Sequence, residues 1–283
     1  MTVDRVCQTC LNFVSRANIT SRGAGVDPQT PFPLSIVLPV SNESATLPGF
    51  LDSLEKYLET DFAGVPVELV VLNNGSTDAT STVANGLRSR WELMGAGFVY
   101  REYPWGDYSE AVRRAVLLAS GDRIAWLGVD IDDVRSIGRG LKALDSANAD
   151  LVILSKYRGA DWRPARRVVL NRAFNFLARV FDGLWYSDIE GYMIITSRVK
   201  PLFEALSFSR GNTINLNLLY FARRMGVRIV EAPLYVTEKR KSVFLRALPR
   251  LVWLDLRSVL AVHLEFKRFA GLMRHRHSSL RQP

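Results

Sequence analysis

The sequence predicts an α/β protein with a mostly parallel sheet and helices on both faces. Short runs rich in Val, Ile and Leu recur along the chain, as strands buried on both sides require. Stretches of helical period separate them. Polar clusters follow directly after the apolar runs, on the edge where open parallel sheets bind ligands.

Leu34–Val40 (LSIVLPV) reads as the first strand, and Ala45–Glu59 places Leu47, Phe50, Leu51, Leu54 and Leu58 on one helical face. Val67–Leu72 (VELVVL) is the second strand. Ser76, Thr77 and Asp78 then offer N-cap chemistry to a helix ending at Leu87. Phe98–Arg101 reads as a short strand, Tyr108–Ala119 as a helix and Arg123–Val129 as the next strand. Val134–Ala147 is helical in period, Asp150–Ser155 (DLVILS) is again a strand, and a helix runs from about Arg166 to Phe181.

Composition sets the bounds. The chain has 283 residues, 48% hydrophobic and 23% charged, which is enough for a substantial core. Its formal charge is +9, and residues 239–283 hold 11 Lys or Arg against 2 acids, so the excess lies in the tail. Such a tail favours an anionic surface; it carries no nucleic-acid recognition motif, so nucleic acid is not expected as a partner. Cys7 and Cys10 lack a second pair and read as plain thiols of a reducing compartment. Asp4, Arg5, Asn12 and Arg16 break up any signal-like apolar core. No run of about 18 uncharged apolar residues predicts a membrane span.

The segment LGVDIDD sets Asp130, Asp132 and Asp133 at a strand end. Like charges so close raise one another's pKa and cost stability unless a cation sits among them, which points to a divalent metal. Asn42-Glu43 and Asn73-Asn74-Gly75-Ser76 lie at two other strand ends, so three loops converge on one rim.

SIVLPVSNESATLPGFLDSL, VELVVLNNGSTDAT and GDYSEAVRRAVLLASGDRIAWLGVDIDD together resemble family 2 glycosyltransferases of the GT-A fold. The chain is most similar to the dolichyl-phosphate or polyprenyl-phosphate sugar transferases, from about Pro33 to Phe244. The resemblance implies a GT-A domain over residues 33–242, after an extension at 1–32 and before a basic amphipathic helical tail at 243–283. It implies that Pro39, Val40, Asn42 and Glu43 hold the base and ribose of a nucleoside-diphosphate sugar, and that Asn74, Ser76 and Asp78 read the base. The family carries Asp where Asn73 and Asn74 stand, so the amide can accept from a base N–H but brings no charge. Gly106 to Ala111 would pack under the donor, with Asp107 where many relatives carry Lys. Asp130 and Asp132 would bind Mg²⁺ or Mn²⁺; residues i and i+2 of extended backbone point the same way, and hard cations take oxygen ligands. Asp133 is expected to cap the following helix. Lys156 and Arg158 offer charge near the rim, and Arg240, Lys241 and Ser242 match the family's basic loop over the diphosphate.

Asp188 and Glu190 are the candidate bases. A lipid phosphate is already ionised and needs none, whereas a sugar hydroxyl does. Asn215 and Asn217 stand about where relatives often carry a glutamate. In the tail, Leu248, Leu251, Val252, Trp253 and Leu256 among the cations of 246–268 suit a helix lying on an anionic membrane; a helix packed on its own domain is the alternative. The resulting expectation is a metal-dependent inverting glycosyltransferase. It would deliver sugar to a polyprenyl phosphate and be peripheral at the cytoplasmic membrane face. The alternatives are a soluble transferase with a hydroxyl acceptor and a non-catalytic nucleotide-sugar binding module.

Overall fold

The computed structural model describes residues 32–93, 96–104, 106–131, 133–161, 163–236, 257 and 261–271. Asp132, the basic loop Arg240–Ser242 and most of the tail therefore lie outside the described residues.

The described residues form one seven-stranded sheet in the order β3-β2-β1-β4-β6-β5-β7. Its strands are β1 (Leu34–Val40), β2 (Val67–Asn74), β3 (Gly97–Tyr103), β4 (Arg123–Trp126), β5 (Leu151–Asp161), β6 (Tyr192–Thr196) and β7 (Ile229–Val236). β1 pairs in parallel with both β2 and β4, in a register that sets Leu34 beside Val67 and Arg123. β6 alone runs the other way, antiparallel to β4 and β5. Strand order reverses between β1 and β4, which opens a crevice beyond their carboxyl ends.

Both faces are covered, so neighbouring residues of one strand enter different cores. On β2, Val70 and Leu72 join the layer containing α4 (Tyr108–Leu118) and α8 (Ile214–Arg224). Leu69 and Val71 join the layer under α1 (Leu47–Asp61) and α5 (Ser136–Ser146). This is why the strands read as continuous apolar runs rather than alternating ones. At the sheet end away from the crevice, buried Glu68 accepts from Ser120 N at 2.8 Å, Ser120 Oγ at 2.9 Å and Ser35 Oγ, so its charge is fully partnered.

The expected elements are present with shifted ends. The helix expected to end at Leu87 is α2 (Thr80–Gly86), a further helix α3 (Arg88–Leu93) follows it, and α6 runs Ala165–Asp182 before Gly183, whose φ of +69° closes it in the left-handed conformation. α7 (Leu202–Ala205) and a 3-10 turn at Leu206–Phe208 had no clear periodicity to announce them. Asp133 does not cap α5: the residue before that helix is Arg135 and no side chain caps it, while Asp133 pairs with Arg139.

In the tail, residues 261–271 are helical. Val262 and Phe269 are buried in the α8 layer, and Phe266 packs edge-on against Tyr220 and Phe221 at 5.6 and 5.1 Å. This part of the tail lies on its own domain. No described helix is long and apolar enough to cross a membrane.

Candidate active site

The loops after β1 and β2 form one braced rim. Asn42 adopts φ +55°, a left-handed conformation that asparagine tolerates. Its amide N–H donates to Ser76 Oγ at 2.9 Å, and its side-chain oxygen accepts from Thr77 N at 2.8 Å. Asp78 accepts from Ser44 Oγ at 2.6 Å and, on its other oxygen, from the Thr80 hydroxyl. Those hydroxyls hold its pKa well below the usual carboxylate range. Both oxygens are thus engaged in tying the loops together, and Glu43 likewise accepts from Thr46 while its N–H donates to Thr80 at 2.8 Å. Gly75 (φ +65°) lies where a Cβ would come within 3.1 Å of Pro104 O, so any other residue would be both strained and crowded there.

Asn73 donates to Ser81 Oγ at 2.7 Å and accepts from Ser76 N at 3.2 Å. Asn74 is different: it is buried, yet its Oδ1 has no hydrogen-bond partner. An unpaired acceptor at the rim is a costly feature that a donor N–H would relieve. Pro39 pairs in register with Leu72, and Val40 is buried in the core. Gly106 has φ +64°, and Ala111 is fully buried in the apolar layer. Asp107 caps α4 through Glu110 N at 2.9 Å and also accepts from Gly211 N at 2.9 Å.

A cleft of about 630 Å³ opens at the crevice. Asp130 follows β4 into it, and Tyr192 at the start of β6 donates its hydroxyl to Asp130 Oδ1. Burial, with the Asp130 charge beside it, raises the Tyr192 pKa well above its ordinary value, so the hydroxyl stays a donor. Behind them Tyr108 accepts from Trp126 Nε1 at 3.3 Å, and burial pushes its pKa up to about 12. Gly128 makes this possible, because a Cβ there would collide with both Tyr192 Oη and Asp130 Oδ1.

The opposite wall carries two cations, each paired with a carboxylate. Lys156 Nζ lies 2.8 Å from Asp188 Oδ2, a pair with side-chain exposures of 8% and 0%. Arg163 grips Asp161 in a two-pronged pair at 2.7 and 2.8 Å and lines the cleft. Arg158 takes no part in this wall: its guanidinium pairs instead with Glu231 at 2.7 Å and is half exposed. Of the two candidate bases, Glu190 lines the cleft, whereas Asp188 is sealed beneath Lys156. Burial raises the Glu190 pKa against the opposing charge of Lys156. Asn171 donates to Glu190 and accepts from Tyr157 Oη at 2.6 Å; Asn175 accepts from Ile189 N at 3.0 Å, so α6 holds the turn before β6 in place. Asn215 also lines the cleft and donates to Gly191 O at 2.8 Å, while Asn217 donates to Ser209 Oγ at 2.9 Å. Tyr192, Arg163 and Asn171 were not singled out from sequence; each is an ordinary-looking residue whose place depends on tertiary pairing.

This sheet order, with a rim of loops and an acidic strand end at the crevice, is that of the GT-A fold. Residues 35–200 match the profile of glycosyl transferase family 2, and the chain belongs to that family. It is 28% identical over 245 residues to polyprenol monophosphomannose synthase of Mycolicibacterium smegmatis, covering 78% of this chain and 85% of that one. It is 27% identical over 220 residues to a dolichyl-phosphate beta-glucosyltransferase of Drosophila melanogaster, covering 72% and 67%. In structure it is similar to mannosyl-3-phosphoglycerate synthase from Rubrobacter xylanophilus (TM-score 0.60, 18% identity, covering 84% and 75%). It is also similar to glucosyl-3-phosphoglycerate synthase from Mycobacterium tuberculosis, bound there to Mn²⁺, uridine-diphosphate-glucose and phosphoglyceric acid (TM-score 0.56, 23% identity, covering 83% and 79%).

Proposed function

We propose that the protein transfers a sugar from a nucleoside-diphosphate sugar to a polyprenyl phosphate at a membrane surface. The observation that carries this reading is the two-walled cleft: Asp130 on one side and, on the other, Lys156 and Arg163, which are paired with Asp188 and Asp161 but carry more N–H donors than those pairs use. A phosphate acceptor needs positive charge to hold it and no base to activate it, since its oxygen is already ionised. That oxygen attacks the anomeric carbon and the bond to the nucleoside diphosphate breaks, inverting the configuration. The two relatives named for polyprenol and dolichyl phosphate chemistry support the acceptor class.

On the donor side Asn74 Oδ1, buried and unpaired, suits a base N–H, and Asn42, Glu43, Ser76 and Asp78 hold the rim that receives the ribose. Asp130 fits a hard cation: it is an exposed carboxylate, oriented by Tyr192 through one oxygen. Asp130 with Asp132 would hold Mg²⁺ or Mn²⁺, which when bound neutralises charge on the leaving diphosphate. Arg240, Lys241 and Ser242 follow β7 and would close over the same phosphates.

The test supplies radiolabelled nucleotide sugars, Mn²⁺ and a polyprenyl phosphate. Label should pass into the organic phase, and Asp132→Ala should abolish transfer while the melting temperature holds. A wholly water-soluble product would transfer the case to a hydroxyl acceptor, for which Glu190 is the cleft-facing base. Tight donor binding without any turnover would indicate a binding module.

A further inference from the structure

One helix presents an apolar face that nothing in the chain's described residues covers. On α6, Val169, Phe176, Val180 and Phe181 are exposed, and Trp185 just beyond it is 71% exposed. Val169, Phe176 and Val180 fall at i, i+7 and i+11, a single stripe. Asn171, Asn175, Ala178 and Asp182 form the buried stripe on the other side, so the helix is two-sided in use. Arg172 is exposed beside the apolar stripe, and Arg179 stacks over the Trp185 ring at 5.3 Å. On α6 itself residues 165–181 hold four arginines and no acid, and the Asp182 that ends the helix is buried.

We infer that this face of α6 lies in the headgroup region of an anionic bilayer, an inference that rests on the lipid-phosphate reading above. The charge pattern selects this occupant. Isologous pairing with a second copy would set the same acid-free, arginine-bearing stripe against itself. An anionic lipid surface instead receives the arginines while the aromatic and aliphatic side chains enter the boundary between headgroups and acyl chains. The placement also serves the reaction. The inner stripe of α6 carries Asn171 and Asn175, which hold Glu190 and the turn at Ile189, and Arg163 stands just ahead of the helix in the cleft wall. A helix lying flat on the membrane therefore sets the acceptor side of the cleft beside the lipid phosphates. The described part of the tail meets only the C-terminal end of this helix, where His263 Nε2 lies 2.7 Å from Asp182 Oδ1.

The experiment uses the full chain and vesicles of phosphatidylcholine with or without phosphatidylglycerol, no substrate present. Phe176→Ser with Val180→Ser should weaken binding to the anionic vesicles by about tenfold or more, and Arg172→Glu by roughly fivefold or more. Brominated lipids should quench tryptophan emission in the wild type, and Trp185→Phe should remove most of that quenching. Unchanged melting and unchanged stabilisation by the donor exclude misfolding. Wild-type affinity in the Ser variant, or no affinity in the wild type, overturns the assignment. So does light scattering that shows a dimer dissolved by the same substitutions. A short, water-soluble prenyl phosphate tests the reaction separately, without vesicles: turnover there with no dependence of vesicle binding on α6 sinks the surface alone, and no turnover sinks the acceptor reading alone.

Discussion

Lys156→Ala should destabilise the protein far more than an ordinary surface lysine would. The wild-type ammonium lies 2.8 Å from Asp188 Oδ2, which otherwise accepts only the Lys156 backbone N–H at 3.1 Å, and Asp188 Oδ1 has no hydrogen-bond partner. At an effective dielectric of about 20 the attraction is roughly 6 kcal/mol, and desolvation of both groups offsets much of it. Removing one partner of such a pair typically costs about 3–5 kcal/mol, because the survivor is a buried, uncompensated charge. There is a ceiling, since the stranded carboxylate can take a proton instead. For an ordinary aspartate with a pKa near 3.9, that uptake costs about 4 kcal/mol at pH 7 and about 1.5 kcal/mol at pH 5, at 1.36 kcal/mol per pH unit. Urea unfolding followed by tryptophan fluorescence should therefore show a loss of about 3–4 kcal/mol at pH 7 that shrinks by more than half at pH 5. Lys156→Met combined with Asp188→Leu should recover most of the loss, because the two apolar groups leave no charge behind. A loss under about 1 kcal/mol at pH 7, or one of equal size at both pH values, would show that the pair is solvated and that the cleft wall is not built this way.

Three further outcomes follow from the same geometry. Gly128→Ala places a methyl group onto Tyr192 Oη and Asp130 Oδ1, so the Mn²⁺ concentration giving half-maximal turnover should rise at least about tenfold, while Gly86→Ala, with nothing within 4 Å, should leave it unchanged. Burial raises the Asp182 pKa from 3.8 to about 6 against the opposing charge of His263, whose Nε2 lies 2.7 Å away. The folded chain thus holds this proton where the unfolded chain has lost it, so this residue's contribution to stability rises as pH falls from about 6 to 3.8 and is lost as pH rises through 6. Asp182→Asn should remove that component from the wild-type pH profile of melting; identical slopes would refute it. Asp107→Ala should cost about 1–2 kcal/mol in urea, since it uncaps α4 and frees Gly211 N, whereas Asp107→Asn should keep most of that stability.

What could be read from sequence was whatever depends on short-range pattern. β1 begins and ends where its apolar run does, Leu34–Val40, and its one polar member, Ser35, is tolerated in the core because its hydroxyl donates to Glu68. The reversed direction of β6 was not legible, since MIIT packs equally well in either sense and only its neighbours β4 and β5 decide. The wall that bears Lys156 was half legible. Lys156 and Arg158 share a strand face by simple alternation, but the register between β5 and β7 shifts between Ser155 and Ala160, and Arg158 is taken by Glu231. Arg163 enters the cleft in its stead, positioned by Asp161, and no local signal marks that exchange. Likewise Asp78 looked like a helix cap or a base reader; the structure adds Ser44, which makes it a brace between two loops.

Charge shows the same limit most sharply. Residues 1–238 carry 26 basic and 26 acidic side chains, a balance that directs attention to the tail. Balance along a chain is nevertheless compatible with segregation in space. Asp188 is buried under Lys156, Glu68 is enclosed by serines, and Glu231 is committed to Ser187 and Arg158. Such buried or engaged carboxylates contribute little field at a distant surface, whereas Arg172 of α6 is exposed on a helix whose one acid, Asp182, is buried at its end. An electrically neutral block can thus present an apolar face that bears an exposed arginine and no exposed acid of its own helix. The salt dependence of vesicle binding tests this directly: if α6 docks through its arginines, raising ionic strength should weaken the wild type more steeply than Arg172→Glu, and parallel salt curves would assign the attraction to the tail instead.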